Sequence, residues 1–534
     1  MIWSRYTPLS STLVLTTLFV IFGYWVDPGF YWPLIVLAPL SFVGLHDFFQ
    51  PSRAILRNYP IIGHVRFMIE AIRPEIRQYL LEDDRDPVPF SREQRSLIYR
   101  RAKNVLDKQP FGTMRDVNAP GYGWISHSIR PIEPGSYDFR VTIGGDRCAQ
   151  PYSASVYNIS GMSFGALGAR AVLALNTGAK LGSFAQNTGE GSISTYHRKP
   201  GGDLIWQVAT GYFGCRTEDG RFDPQKFEET AKLPQVKMIE IKLSQGAKPG
   251  SGGVLPQAKI SEEIARARGV PRDRDCISPA GHSAFSTPIE FMAFIDRLRT
   301  LSGGKPVGFK LCVGHRYEFL AIIKAMVETG TTPDFIVIDG KEGGTGAAPL
   351  ELTNHVGLPL AEGLTFVRNA LIGANLRQKI KIGVSGKLVT AYDLARVFAI
   401  GADYAFSARG FLFSIGCIQS RSCHTNHCPT GVTTQDPLRQ RALVPEEKSI
   451  RAKNFHHNTL KALGQVLGAA GLSHPSELRP WHLHMRHQNG DVLRGEQAYP
   501  TPEPGSLING TATGFIAREW ARAQTASFTP LSEQ

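Results

Sequence analysis

Three cysteines, Cys417, Cys423 and Cys428, stand at C-x5-C-x4-C spacing inside the polar stretch CIQSRSCHTNHCPTGVTTQD. Seven cysteines in all, an odd number with a single cluster, are poor material for a disulfide framework. The pattern points instead to a reducing compartment in which thiolates ligate metal. A second set of chemically capable residues sits in glycine-rich strings: SGMSFG, NTGEG, KLSQGAKPGSGG, FKLCVG, DGKEGGTGAAP, SGKLV and FSARG. Backbone NH groups, hydroxyls, lysines and an arginine in such strings suit the grip of a phosphate and the balance of negative charge.

Elements that would position these strings can be read upstream of each one. From residue 150 onward, short β-rich runs alternate with helix-patterned stretches such as TPIEFMAFIDRLRTL and TAYDLARVFAIGA. The runs are 157–164, 182–190, 238–245, 276–281, 307–313, 334–340, 380–386 and 402–408. Eight βα units spell a TIM (β/α)8 barrel over 150–480, whose chemistry lies at the carboxyl ends of the strands and whose phosphate site often follows strands seven and eight. Gly386 with Lys387, and Ala408 with Arg409, fall there. Met162, Ser163, Asn187, Gly343, Gly344 and Thr345 lie on the same rim and complete the candidate wall for a phosphate-bearing cofactor. Lys310, near the end of strand five, would point into the mouth and stabilise charge on the N1/C2-carbonyl side of a reduced flavin, or else serve in a buried ion pair. No G-x-G-x-x-G follows a strand, which argues against a nicotinamide-binding fold.

The amino end reads differently. Residues 9–26 and 30–45 carry no charge and are long enough, near the lower limit, to span a bilayer about 30 Å thick. Tyr24, Trp25, Tyr31 and Trp32 cluster at the turn, and Arg5, Arg53, Arg57 and Arg66 flank the pair, so the expectation for 1–50 is a two-span hairpin in the inner membrane with both ends and the catalytic body cytoplasmic. A cleaved signal peptide is the competing reading of the first run, and Pro33 and Pro39 leave room for a broken second helix. Residues 51–149 read as a helical linker and 481–534 as a carboxyl-terminal extension, in which HLHMRH is taken as surface polar residues rather than a metal site. The net charge of +13 fits an anionic lipid or an acidic electron carrier. Without a zinc finger, an RNP-like stretch or a long basic run, nucleic acid is not expected.

The strings SGMSFGALG, QNTGEG, IEIKLSQGAKPGSGGVLP, EGGTGAAPL and GCIQSRSCHTNHCPTGVTTQDP together resemble the FMN-binding synthase domain of glutamate synthases, and GDLIWQVATGYFGCRTEDGRFDP and NFHHNTLKALGQVLGAAGLSHPSELRPWHL, with the hairpin, resemble a short, membrane-anchored branch of that family. The resemblance implies FMN, and a 3Fe-4S cluster on Cys417, Cys423 and Cys428, a ligand set that suits iron and leaves one corner of a cubane empty. Zinc, completed by His424 or His427, is the rival. It further implies that Lys242, Gln245 and Lys248 face the substrate, that Glu190 sits between cofactors and substrate, and that Lys310 serves the flavin. The implied activity is reduction of a 2-imino acid formed from 2-oxoglutarate or a related 2-oxo acid. No amidotransferase segment precedes the barrel and the chain starts MIWSR, so the expected nitrogen source is ammonia, an amine or a partner subunit. The expected electron donor is ferredoxin or a flavoprotein, with homo-oligomerisation open. Departures from the family pattern fall mainly on the substrate side: GSGG at Gly250–Gly253, SPAGHSAFS around His282, Glu342, and Ser385–Ala391. An amino-acid or amine dehydrogenase, or an electron-transfer protein with a decayed pocket, therefore stays open as an alternative.

Overall fold

A computed structural model describes residues 5–86 and 89–532. The chain divides into two compact units, Met1–Asp86 and Pro87–Gln534.

In the first unit, helix Thr7–Trp25 is followed by a short turn of helix, Pro28–Tyr31, and by helix Leu34–Phe49, which runs through Pro39 without a break. Thr7–Trp25 and the longer stretch Pro28–Phe49 are long and apolar enough to cross a membrane. Asp27 caps the turn by accepting from the Gly29 NH at 2.6 Å. Within the pair, the Thr16 and Ser41 hydroxyls lie 2.9 Å apart, the type of polar link that joins apolar helices where water is scarce. Helices Ala54–Asn58 and Gly63–Ile76 complete the described elements of the unit, with a single widened turn over Arg77–Leu81.

The second unit is built on a closed parallel barrel of eight strands. We number them β1 Tyr157–Ile159, β2 Gln186–Asn187, β3 Leu204–Val208, β4 Val236–Lys242, β5 Val307–Leu311, β6 Phe335–Asp339, β7 Lys381–Ser385 and β8 Tyr404–Ser407. β8 pairs back onto β1, with Ser407 opposite Ile159. The TIM-barrel expectation holds, but its inventory needs one correction. LIWQV at 204–208, absent from the expected set, is β3, whereas 276–277 is no barrel strand and pairs antiparallel with Val254–Leu255. The reason is burial: all five residues of β3 are buried, as a strand covered on both faces must be, while Ile277 is exposed. Since one strand is gained and one lost, β5, β7 and β8 keep their places in the count.

The hairpin formed by Arg140–Ile143 and Tyr152–Ser155 stops the floor of the barrel, its Ile143, Tyr152 and Ala154 packing with Ile205, Met238, Phe335 and Tyr404. Outside the barrel, helix Pro445–Ala469 lies along Ala169–Gly182, and Gly178 permits the approach, because a methyl there would sit 2.8 Å from the Ala452 Cβ. Gly123–Ile125, Leu483–Arg486 and Val492–Arg494 form a three-stranded antiparallel sheet that ties the segment before the barrel to the segment after it. His484 of HLHMRH is in this sheet and stacks on Trp124 at 5.5 Å.

Candidate active site

Two adjoining cavities open at the carboxyl ends of the strands. The first, about 140 Å3, is lined by Met162 and Ser163 after β1, Glu190 after β2, Lys242, Gln245 and Lys248 from the end of β4 onward, and Lys310 of β5. The second, about 820 Å3, is lined by Gly343, Lys387 after β7, and all three clustered cysteines. Gly344, Thr345, Arg409, Cys423 and His424 belong to the walls of both.

Glu190 is the focus of the first cavity. The Lys242 ammonium donates to its carboxylate at 2.9 Å and to the Gln245 side-chain oxygen at 3.1 Å. Burial alone would push the Glu190 carboxyl up, but Lys242, Arg268 and Lys248 reverse this and hold it below the usual carboxylate range. Lys248 is buried and its pKa is lowered, first by burial and then by Lys242, against the pull of Glu190. Two glycines make the geometry possible. Gly189 has φ +66 and a side chain there would collide with the Ser163 backbone nitrogen, and Gly246 lies so close to the Gly340 carbonyl that no side chain fits between them. Asp339, at the end of β6, organises the floor beneath. It accepts from the Gly246 NH at 3.0 Å and the Ser385 hydroxyl at 2.8 Å, and lies 3.8 Å from the Lys310 ammonium.

Two expected residues lie off the cavity walls. Asn187 is buried below, donating to Glu240 at 2.9 Å beside Gln207, which donates to the same oxygen at 2.6 Å. Gly386 packs toward Leu360, where a methyl would come within 3.1 Å. Conversely, two wall cations went unnoticed in the sequence. Arg268 ends the helix Glu262–Arg268, donates to the Phe164 carbonyl at 3.1 Å and reaches the first cavity almost fully buried. Lys259 is also buried and donates to three carbonyls, those of Ala166 at 3.1 Å, Cys423 at 3.2 Å and Thr433 at 2.9 Å. A lysine that ties the cysteine loop to the β1 loop leaves no sequence signal of its own beyond an isolated charge before a helix. His282 also has a defined place: its ring bonds the Tyr212 hydroxyl at 3.0 Å and the Lys242 carbonyl at 2.9 Å.

The cysteine loop leaves β8 through the short helix Arg409–Ser414. Gln419, Arg421 and Asn426 all take left-handed φ, which folds the loop tightly back on itself. Helix Arg92–Ala102 buttresses it, with the Tyr99 hydroxyl donating to the Cys417 carbonyl at 2.7 Å and the Gln419 amide to the Phe90 carbonyl at 3.2 Å. Arg409 bridges the cavities, donating to the Thr345 carbonyl at 2.9 Å with its other terminal nitrogen 3.8 Å from Cys423 Sγ. Burial pushes the Cys417 thiol up to about 11. In Cys428 burial acts the same way, but hydrogen bonds from Thr433 and Thr430 outweigh it and lower the pKa. Among the described residues no three His, Cys, Asp or Glu side chains converge tightly enough to hold a single ion.

Comparison with known proteins finds relatives of this chain. The conserved region in glutamate synthase matches residues 148–473. The glutamate synthase large subunit-like protein YerD of Bacillus subtilis is 38% identical over 502 residues, covering 86% of this chain and 94% of that protein. The archaeal-type glutamate synthase [NADPH] of Thermotoga maritima is 32% identical over 335 residues, 62% of this chain and 61% of the relative. Among solved structures, a flavocytochrome b2 mutant with pyruvate bound aligns over 88% of this chain and 95% of that one, at 15% identity and a TM-score of 0.40. On the strength of the family match and the near full-length relative, the chain belongs to the glutamate synthase family and is a glutamate synthase-like oxidoreductase.

Proposed function

We propose that this chain is an FMN- and iron-sulfur-dependent enzyme, anchored in the inner membrane with its barrel in the cytoplasm, that reduces a 2-imino acid formed from 2-oxoglutarate or a related 2-oxo acid and ammonia or an amine. The observation that carries the reading is the cation-rich first cavity around Glu190, which shares a wall with the cavity lined by the three thiols.

The residues suit both groups. Glycines 343 and 344 give an open wall, Lys310 and Arg409 supply cations for a phosphorylated, anionic flavin, and three thiols lining one cavity match a cluster that takes one thiolate per iron. When bound, the cluster would supply single electrons and the flavin a hydride.

The chain's own residues would do the rest. Lys242, Lys248 and Arg268 offer three buried cations to the two carboxylates of a 2-oxo diacid, an arrangement that favours dianions over neutral oxo compounds. Glu190, kept ionised by those cations, stands ready to accept an N–H from a positively charged iminium and so to stabilise it. The lowered pKa of Lys248 makes its Nζ a readier proton donor than an ordinary lysine. His282 fixes the end of β4, and with it Lys242, through the Lys242 carbonyl.

The test supplies purified, cofactor-loaded protein with reduced ferredoxin, 2-oxoglutarate and ammonium, then repeats with other 2-oxo acids and simple amines. Formation of the corresponding amino acid is expected. A flavin that becomes fully reduced yet is reoxidised by none of these mixtures would overturn the synthase reading.

A further inference from the structure

Helix Gly63–Ile76 has two unlike sides. On one, Gly63 packs against Leu56, where a methyl would meet Cδ2 at 2.9 Å, and Phe67 lies beneath the Arg53 guanidinium at 4.9 Å. The other carries Val65, Met68, Ile69 and Ile72, spaced three and four apart on one stripe, and 48%, 59%, 51% and 46% exposed. Leu80, 77% exposed, and Leu81, 75% exposed, follow in the widened turn Arg77–Leu81. At 100° per residue, Arg66 and Arg73 run along one edge of it.

The height of this helix is set by Asp47. That residue lies in the last turn of Leu34–Phe49, its side chain fully buried, and it accepts from the Ile61 NH at 3.0 Å and from the His64 ring at 2.9 Å. The first turn of the amphipathic helix is therefore fastened to the last turn of an apolar helix, where a span of that length meets the bilayer surface. Charge agrees with the position: Arg53, Arg57, Arg66, Arg73 and Arg77 face only Glu70 and Glu75 between residues 53 and 77.

We propose that residues 63–81 lie in the headgroup layer of the membrane, with the apolar stripe at the acyl boundary and the arginines on anionic phospholipid headgroups. The inference rests on reading the two apolar helices as spans. Apolar burial and electrostatic attraction then act together, as in other surface-lying helices.

The full chain, carrying an environment-sensitive fluorescent amino acid at Ile69 or at Glu70, is reconstituted into vesicles of phosphatidylcholine with phosphatidylglycerol, including brominated lipid as quencher. Quenching at Ile69 should exceed that at Glu70 several-fold, and Ile72→Asp should abolish the difference. Omitting phosphatidylglycerol should weaken quenching at Ile69 about two-fold. Equal quenching at both positions, or no dependence on anionic lipid, overturns the proposal. So does quenching at Ile69 that is low in vesicles but rises when nanodiscs isolate single copies, since a second copy would then cover the stripe. Alkaline carbonate extraction separates the two ideas: a chain that stays in the membrane while Ile69 is unquenched defeats only the surface helix, and a chain that leaves defeats the spanning reading itself.

Discussion

Lys242, at the end of β4, donates to Glu190, in the loop after β2, at 2.9 Å, and Glu190 lies half-buried between it and two further cations. Removing one partner of such a pair strands the other's charge away from water, which costs several kcal/mol. Lys242→Met should therefore raise the Glu190 pKa and lower turnover of the 2-oxo acid by about 100-fold or more. Lys310→Met, by contrast, should weaken flavin binding or reduction. FMN absorbance per chain, measured beside the rate of amino-acid formation, separates the two effects.

Lys259 gives its three protons to three carbonyls, one of them that of Cys423. Lys259→Met would leave the buried Thr433 carbonyl unpaired, at about 1–3 kcal/mol, and free the two partly buried ones. The expected result is a loosened cysteine loop that takes up less iron on reconstitution. Iron per chain and hydrogen exchange of residues 417–433 both report it, the second without any cofactor.

Gly246 touches the Gly340 carbonyl so closely that Gly246→Ala must displace the β4 or the β6 loop. A destabilisation on the order of 2 kcal/mol is expected from such overpacking. A lower thermal midpoint, together with loss of the Lys242–Gln245 geometry and hence of turnover, would show it.

Burial holds three histidines neutral: His197 at about 3, His456 at about 3 and His282 at about 4. In each case the folded pKa lies below the unfolded value of about 6.5, so the unfolded chain binds more protons between those limits. The contribution of these histidines should thus be fully present above that value and be lost as pH drops through the window toward 4. Replacing His456, which stacks on Phe184 at 4.1 Å, with Phe should flatten part of that slope in a series of thermal midpoints taken from pH 7 to pH 4.

The chemistry of this site was largely legible because it sits in contiguous strings: the thiols at 417–428, the lysines at 242 and 248, and Glu190 all reach the two cavities. Arg268 and Lys259 were not, because each arrives from a segment whose role is decided by how the chain folds back, and an isolated cation before or within a helix looks the same when solvated. β3 was hidden for a related reason. LIWQV and CISPAG are both short apolar runs, and only a neighbour on each side distinguishes a barrel strand from the inner half of a rim hairpin. Asn187 has a type suited to the rim but a side chain turned to Glu240 below it, a difference of one residue in strand alternation.

The sheet of 123–125, 483–486 and 492–494 has a practical consequence for anyone wishing to trim this protein. The glutamate synthase region, 148–473, ends before two of those strands and begins after the third, and Tyr137 and Ile132, also outside it, lie against Gly464 and Gly468 of the long outer helix. Excised at its homology limits, the barrel would keep its mouth and lose the wrapping on its flank, presenting bare apolar helix to water. Minimal active fragments should accordingly keep residues from about 90, which retains the 90–102 buttress of the cysteine loop, to beyond 494, so that autonomy of folding belongs to a longer stretch than the matched region.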